Sequence, residues 1–175
     1  MINVLFGGCY ACFNCDGSLI AIYGANNYLT ILEFDTSEVV FSSNCHSNKI
    51  KCAVFSQDGS KLATGGFDKT VKIWDVKNWG LLVSLKAHNK CVNCVDISMD
   101  GRLLVSGGAD CMVKLWEVAS GTLLRIIVGH FSEVLTVAFS ADSSVVVSAG
   151  SDRRLKIVKL INNIYITLFY VFEVY

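Results

Sequence analysis

"HSNKIKCAVFSQDGSKLATGGFDKTVKIWDV" at 46–76, "HNKCVNCVDISMDGRLLVSGGADCMVKLWEV" at 88–118 and "HFSEVLTVAFSADSSVVVSAGSDRRLKIVKL" at 130–160 align without a gap, and their starts are evenly spaced. His46, His88 and His130 share one position of the repeat, and Asp68, Asp110 and Asp152 share another. Trp74 and Trp116 share a third, where the last copy carries Val158. A gapless period of this length means one supersecondary unit used several times. Such a unit buries its apolar faces only against its neighbours.

The register extends backwards to a degenerate fourth copy. "FNCDGSLIAIYGANNYLTILEF" at 13–34 lies one period before "FSQDGSKLATGGFDKTVKIWDV" at 55–76. Phe13 matches Phe55, Asp16-Gly17 matches Asp58-Gly59, and Gly24 matches Gly66. Asn26 replaces the repeated Asp, Leu32 the Trp, and Val4 stands at the His position. Terminal repeats are often atypical because they cap a stack.

One unit reads as four short strands. "IKCAVFS" (50–56) is β-branched and apolar, and "QDG" turns the chain. "KLATGG" (61–66) is a second strand, "FDK" a second turn, and "TVKIWDV" (70–76) a third strand. "LLVSLKA" (81–87) follows the link "KNWG" as the fourth. It recurs as "LLRIIV" (123–128), and "YITLFY" (165–170) falls one period further on. Four antiparallel strands per repeat make one propeller blade. The expected fold is therefore all-β: a single domain over 1–175 with about four blades at 4–43, 46–87, 88–129 and 130–171, forming a partial β-propeller.

Composition sets outer limits. Apolar residues make up 53% of the chain and charged residues 17%, enough to bury a core and too few charges for a disordered chain. Fifteen basic residues balance fifteen acidic ones, and no basic stripe stands out, which argues against nucleic-acid binding. No apolar run reaches the length of a membrane span. "MINVLFGGCYACFN" lacks the charged start of a secretory signal, so a cytoplasmic or nuclear location is expected.

Eight cysteines raise the question of a metal. Cys9, Cys12 and Cys15 form C-x-x-C-x-x-C, and Cys91 and Cys94 form C-x-x-C. In a strand, residues i and i+3 point to opposite faces and cannot grip one ion without distortion. Cys52 and Cys94 share a repeat position with Thr136, and Cys12 shares one with Val54 and Ala138. These are small, core-type positions, so no metal, disulfide or cofactor is expected.

The recurring His, Asp and Trp are expected to form a network with a strand hydroxyl, Thr64, Ser106 or Ser148. A buried carboxylate needs such donors. The same trio could be read as a hydrolase triad. However, it is repeated where an active site is normally unique, and no G-x-S-x-G elbow presents the hydroxyl. No catalytic residue is expected.

"GFDKTVKIWDV" and "GADCMVKLWEV", led at equal spacing by His46 ahead of Asp68 and by His88 ahead of Asp110, resemble the WD-repeat (β-transducin-like) propeller proteins, a likeness that covers positions 4–160. The resemblance implies a rigid platform for protein–protein assembly, usually without catalysis. It also implies structural roles for His46, Asp68, Trp74, His88, Asp110, Trp116, His130 and Asp152. Departures are Val158-Lys159 in place of Trp-Asp, Glu117 after Trp116, and Ala87 before His88.

Family propellers usually close with about seven blades. Three accounts of four blades stay open: part of a longer protein, association with itself or another chain to complete a ring, or a tight four-blade closure. The loops before the first strand and between the second and third share one rim. On that rim Lys49, Phe67, Lys69, Lys90, Phe131 and Arg153 are candidate contacts for other proteins or peptides, since aromatics and arginine are common interface anchors. Two functions compete: an interaction scaffold or adaptor, and the recognition or regulatory segment of a larger enzyme such as a ubiquitin ligase or signalling ATPase.

Overall fold

Each copy of the repeat becomes one four-stranded antiparallel sheet in the computed structural model, which describes residues 9–24, 26–127, 129–160 and 170–173. Blade I holds β1 (Tyr10–Phe13), β2 (Leu19–Tyr23), β3 (Tyr28–Glu33) and β4 (Val39–Asn44). Blade II holds β5 (Ile50–Phe55), β6 (Lys61–Gly66), β7 (Thr70–Asp75) and β8 (Leu81–Lys86). Blade III holds β9 (Val92–Ile97), β10 (Leu103–Gly108), β11 (Val113–Glu117) and β12 (Leu123–Ile127). Blade IV holds β13 (Val134–Phe139), β14 (Val145–Gly150), β15 (Arg154–Lys159) and β16 (Tyr170–Glu173). Every sheet is a meander with its strands in chain order, and no helix occurs among the described residues.

Turn chemistry recurs with the period. The turn between first and second strands needs a left-handed residue, supplied by Gly17, Gly59 and Gly101 at φ 78°, 70° and 70°. Blade IV uses Ser143 there at φ 57°, which is costlier for a residue with a Cβ. An Asp fixes each of these turns by accepting hydrogen bonds at its side chain. Asp58 takes them from the Ser56 hydroxyl (2.5 Å) and the Ser60 amide (3.0 Å).

The core lies between blades rather than within them. Adjacent strand residues face opposite sides of a sheet, so each blade is apolar on both. Leu62 and Trp74 of blade II pack with Leu29 and Ile31 of blade I. Val71 and Ile73, on the other face, pack with Val92, Leu104 and Trp116 of blade III. Val105, Val113 and Leu115 pack in turn with Val134, Val146 and Val158 of blade IV. Polar contacts reinforce these seams. Lys51 donates to Asn93 Oδ1 (2.8 Å), and Asn93 Nδ2 donates to the Val134 carbonyl (2.8 Å), so one line of bonds crosses three blades. Asp96 Oδ2 accepts the Phe139 amide (2.8 Å) across the III–IV seam, and burial raises the pKa of that carboxyl.

The four blades make an open arc. Extensive strand packing joins I to II, II to III and III to IV, and none of that extent joins IV to I among the described residues. Among the described residues, therefore, no tight four-blade closure forms. The end faces show the consequence. Ile20 and Leu32 of blade I are half-buried, where the equivalent Leu62 and Trp74 are buried. Leu155 and Ile157 of blade IV are half-buried, where Val71 and Ile73 are fully enclosed.

Val146 belongs to the III–IV core at 1% exposure, because its side chain points back toward blade III. One expectation shifts. The fourth strand of blade IV pairs with β15 at Tyr170–Glu173, later than the repeat position 165–170. Residues 165–169 of that expected strand lie outside the described residues.

Each apolar side chain left in water forgoes about 1.5–3 kcal/mol relative to burial. The chain alone is therefore expected to run in light scattering as a dimer or larger species. A monodisperse 19.1 kDa monomer would contradict that.

Candidate functional site

The loops before each first strand and the turns between second and third strands meet on one side of the arc, here termed the upper rim. The other turns form the lower rim. Under the upper rim each of blades II to IV carries the same polar chain.

In blade II, Trp74 Nε1–H donates to Thr64 Oγ1 (2.9 Å), and Thr64 Oγ1 lies 2.8 Å from His46 Nε2. His46 Nδ1 lies 2.8 Å from Asp68 Oδ2. Asp68 also accepts the Ser47 amide (3.1 Å), the Thr70 amide (3.1 Å) and the Thr70 hydroxyl (2.8 Å). Blade III repeats the chain as Trp116, Ser106, His88 and Asp110, with links of 2.9, 2.8 and 2.8 Å. Blade IV keeps His130 with Ser148 (2.9 Å) and Asp152 (3.1 Å), while Val158 leaves Ser148 without an indole donor.

The donors fix the proton positions. An indole N–H can only donate, so Thr64 and Ser106 accept from Trp and direct their own hydrogens to His Nε2. His46 and His88 then carry their protons on Nδ1 and donate to Asp68 and Asp110. That arrangement requires neutral histidines and ionised aspartates. Burial holds His46 and His88 below the ordinary imidazole value, against the opposing pull of Asp68 and Asp110. For Asp68, burial works upward. Hydrogen bonds from Thr70 and the neighbouring His46 outweigh it, so the carboxyl stays below its usual range. For Asp110, burial is likewise outweighed, by the Asn89 amide and His88.

The sign of the resulting pH dependence follows. As pH falls below about 6.5, an unfolded histidine takes a proton that the native one refuses, so stability drops. The depressed aspartates add stability above about pH 4 that is lost below it. Unfolding midpoints are expected to be flat above pH 7, to fall through pH 6, and to fall again below pH 4. A midpoint that rises on acidification from pH 7 to 5 would contradict the neutral-histidine network.

In blades II and III the network is closed to hydrolase-triad chemistry. The Thr64 and Ser106 side chains are fully enclosed, and each hydroxyl oxygen already holds the indole N–H. No substrate atom can reach the oxygen from which His would draw a proton. Cys12, Cys45, Cys52 and Cys94 are likewise buried, whereas Cys9, Cys91 and Cys111 are half-buried and Cys15 is exposed. Burial pushes the Cys12 and Cys94 thiols up to about 12, and Cys52 well above its ordinary value. The thiolate is the form that ligates metals or attacks. Among the described residues no group of three His, Cys, Asp or Glu is placed to hold a metal ion.

A further element of the network is Lys72, Lys114 and Lys156, which share one position of the repeat. Lys72 Nζ donates to the Cys45 carbonyl (2.6 Å) and Lys114 Nζ to the Ala87 carbonyl (2.5 Å), each just before a network His. The same two amines sit 5.9 Å from the Trp74 and Trp116 ring centres. Lys156 lies against Gly129 and, lacking a Trp, 5.9 Å from the Phe131 ring centre. Lys72 and Lys114 thus tie the incoming loop to their blades. The recurrence of the lysine in "TVKIWDV", "MVKLWEV" and "RLKIVKL" was the available sequence signal.

Above the network stand the rim residues. Phe131 is 77% exposed, with the Arg154 guanidinium 4.8 Å from its ring centre. Phe67 is 48% exposed, with Lys51 Nζ at 5.7 Å. Lys49, Lys69, Lys90 and Arg153 are all exposed on the same side. Ala109, which holds in blade III the repeat position of Phe67, is buried and offers a partner nothing.

Charge is segregated between the rims. The upper rim carries Lys49, Lys51, Lys69, Lys86, Lys90, Arg153 and Arg154. Its carboxylates Asp68, Asp110 and Asp152 are committed to the histidines, which leaves Glu133 and, at the end of β16 opposite Arg154 in the register, Glu173. The lower rim carries Asp16, Glu33, Asp35, Glu38, Asp58, Asp75, Asp100, Glu117 and Asp142 against Lys61, Lys77, Arg102 and Lys159. A chain of zero net charge thus has a basic rim and an acidic one.

The sequence profile described as "WD domain, G-beta repeat" matches residues 37–75, 79–117 and 121–159. Each matched repeat joins the outer strand of one blade to the first three strands of the next, so the repeats interlock neighbouring blades. Comparison of the sequence with curated proteins finds no match. Among solved structures, U3-55K superposes with a TM-score of 0.82 at 22% identity, over 93% of this chain and 50% of that one. This chain therefore spans half the length of that protein. So many solved chains share the arrangement, 1483 of them, that it carries architecture and not a particular task.

Proposed function

The chain belongs to the WD domain, G-beta repeat family, and from that premise we propose that it is a non-catalytic interaction scaffold or adaptor that seats a protein partner on its upper rim. WD-repeat propellers in general mediate protein–protein interactions. The observation that carries the finer reading is the pair of exposed rings, Phe67 and Phe131, each held beside a cation on a rim braced from below by three copies of the His–Asp network. An aromatic ring and an arginine held on a rigid base lose little freedom on binding, which is the usual chemistry of an interface anchor. A cytoplasmic or nuclear setting, where buried free thiols stay reduced, fits this role.

The test is quantitative capture from cell extract by the full chain. A Phe131→Ala/Arg153→Ala variant is expected to lose the partners that a lower-rim Lys61→Ala/Lys77→Ala variant keeps. Partners retained by the first variant would overturn the assignment. Screening against ester, peptide and nucleotide substrates is expected to show no turnover. Turnover abolished by changing one Ser, His or Cys would overturn the non-catalytic reading.

A further inference from the structure

Resting on the reading of the upper rim as the binding surface, we propose that the segment it binds is acidic: a carboxylate-rich peptide with one apolar anchor. Lys49, Lys69, Lys90 and Arg153 are exposed, and none lies within ion-pair distance of a carboxylate among the described residues. Lys69 and Arg153 occupy the same position of the repeat, each at positive φ (68° and 58°) in the turn that follows a network Asp. The negative charge of those turns is already used. Each Asp is bound by a histidine and by the amide that follows it, as Asp152 is by His130 and Phe131 N–H.

The opposite sign of the lower rim sharpens the choice. An acidic segment is drawn to one side of the arc and repelled from the other, so the field orients the encounter as well as strengthening it. Such steering survives at separations up to about 8 Å in physiological salt.

The anchor has a place to go. A groove of about 410 Å³ runs along the inner strands, lined by apolar Tyr10, Val95 and Leu135 and by polar Asn93, Asp96 and Thr136, with Lys51 at its upper end. Leu135 is 54% exposed there and offers an apolar floor to an entering side chain. A carboxylate beside the anchor would meet Lys51, which Asn93 holds in place at 2.8 Å.

A nucleic acid would also seek a basic rim, but the aromatic rings argue against it. Single strands stack their bases on open aromatic faces. Here a cation lies over a face of each ring, Arg154 over Phe131 and Lys51 over Phe67. The apolar part of the groove at Tyr10, Val95 and Leu135 is of use to a peptide side chain, and the Asp96 carboxylate in its lining is unfavourable to a phosphate.

The probe is a fluorescein-labelled twelve-residue Asp/Glu peptide with one central Phe, titrated onto the full chain by anisotropy. Its counterparts have Lys for every acid, or Ser for Phe, and a twelve-nucleotide oligo-dT is run beside them. The acidic Phe peptide is expected to bind tightest and to weaken about tenfold between low and physiological salt. Lys69→Glu/Arg153→Glu should weaken it by at least about tenfold. Lys61→Glu/Lys77→Glu makes the same change in net charge on the lower rim and should leave it unchanged. No binding of the acidic peptide, equal loss from both variants, or tighter binding of the Lys peptide or oligo-dT overturns the proposal. If captured partners are lost with Phe131→Ala/Arg153→Ala yet ignore both salt and Lys69→Glu, the rim still binds proteins and the acidic partner is wrong.

Discussion

Asp110→Ala is expected to lower the unfolding free energy by about 1–3 kcal/mol, and Asp68→Ala by a similar amount, because each leaves several buried donors without a partner. Asp110 accepts His88 Nδ1–H, the Asn89 amide (2.9 Å) and the Met112 amide (3.3 Å), so its loss frees both loops that meet above blade III. Asp142→Ala is the matched control. That carboxylate also accepts hydrogen bonds, from Ser140 and Ser144, but in an exposed lower turn where water replaces them. Its loss should shift the midpoint far less than the loss of Asp110. His88→Ala and Asp110→Ala should be strongly non-additive, since either one breaks the same chain. Equilibrium denaturation decides it. A midpoint for Asp110→Ala equal to that of the parent would remove the network from the account.

The second large effect is expected from Gly108→Ala. Glycine within a strand ordinarily destabilises it, and alanine there ordinarily helps. Here a Cβ would lie 2.5 Å from His88 Nδ1 and 2.7 Å from Asp110 Oδ1, within the hydrogen bond that joins them. Gly150 stands in the same relation to His130 and Asp152. Overpacking of a tight site costs about 1–3 kcal/mol, and displacement of the histidine adds the loss of its hydrogen bonds. Gly108→Ala should therefore be as damaging as Asp110→Ala, and the double substitution little worse than either alone. A neutral or stabilising Gly108→Ala would mean that the His–Asp contact is looser than its 2.8 Å geometry.

Much of this was legible in the chain because one unit is written three times. Strand limits such as Lys61–Gly66 match their expected residues. The partners of His46 could be named from spacing alone, since the hydroxyl and the carboxylate fall at fixed distances in every copy. What escaped is what breaks the period. Lys51, Asn93 and Leu135 share one repeat position, yet the seam uses the first two as donor and acceptor and leaves the third exposed. Asp96 bridges to Phe139 from a position held elsewhere by Val54 and Ala138. The two rims were hidden for a different reason. The chain crosses from one to the other with every strand, so basic and acidic residues alternate in the sequence and sum to zero. They separate only once the strands are stacked.

The central claim is that partners are held on the basic rim, and the chain carries its own reporters for it. Lys49, Lys69, Lys86 and Lys90 mark the upper rim, and Lys61, Lys77 and Lys159 the lower. Amine-reactive cross-linking of the full chain with its captured partners, mapped by mass spectrometry, reads both sides at once. The account predicts inter-protein cross-links concentrated at Lys49, Lys69, Lys86 and Lys90. Cross-links concentrated at Lys61, Lys77 and Lys159 would contradict it.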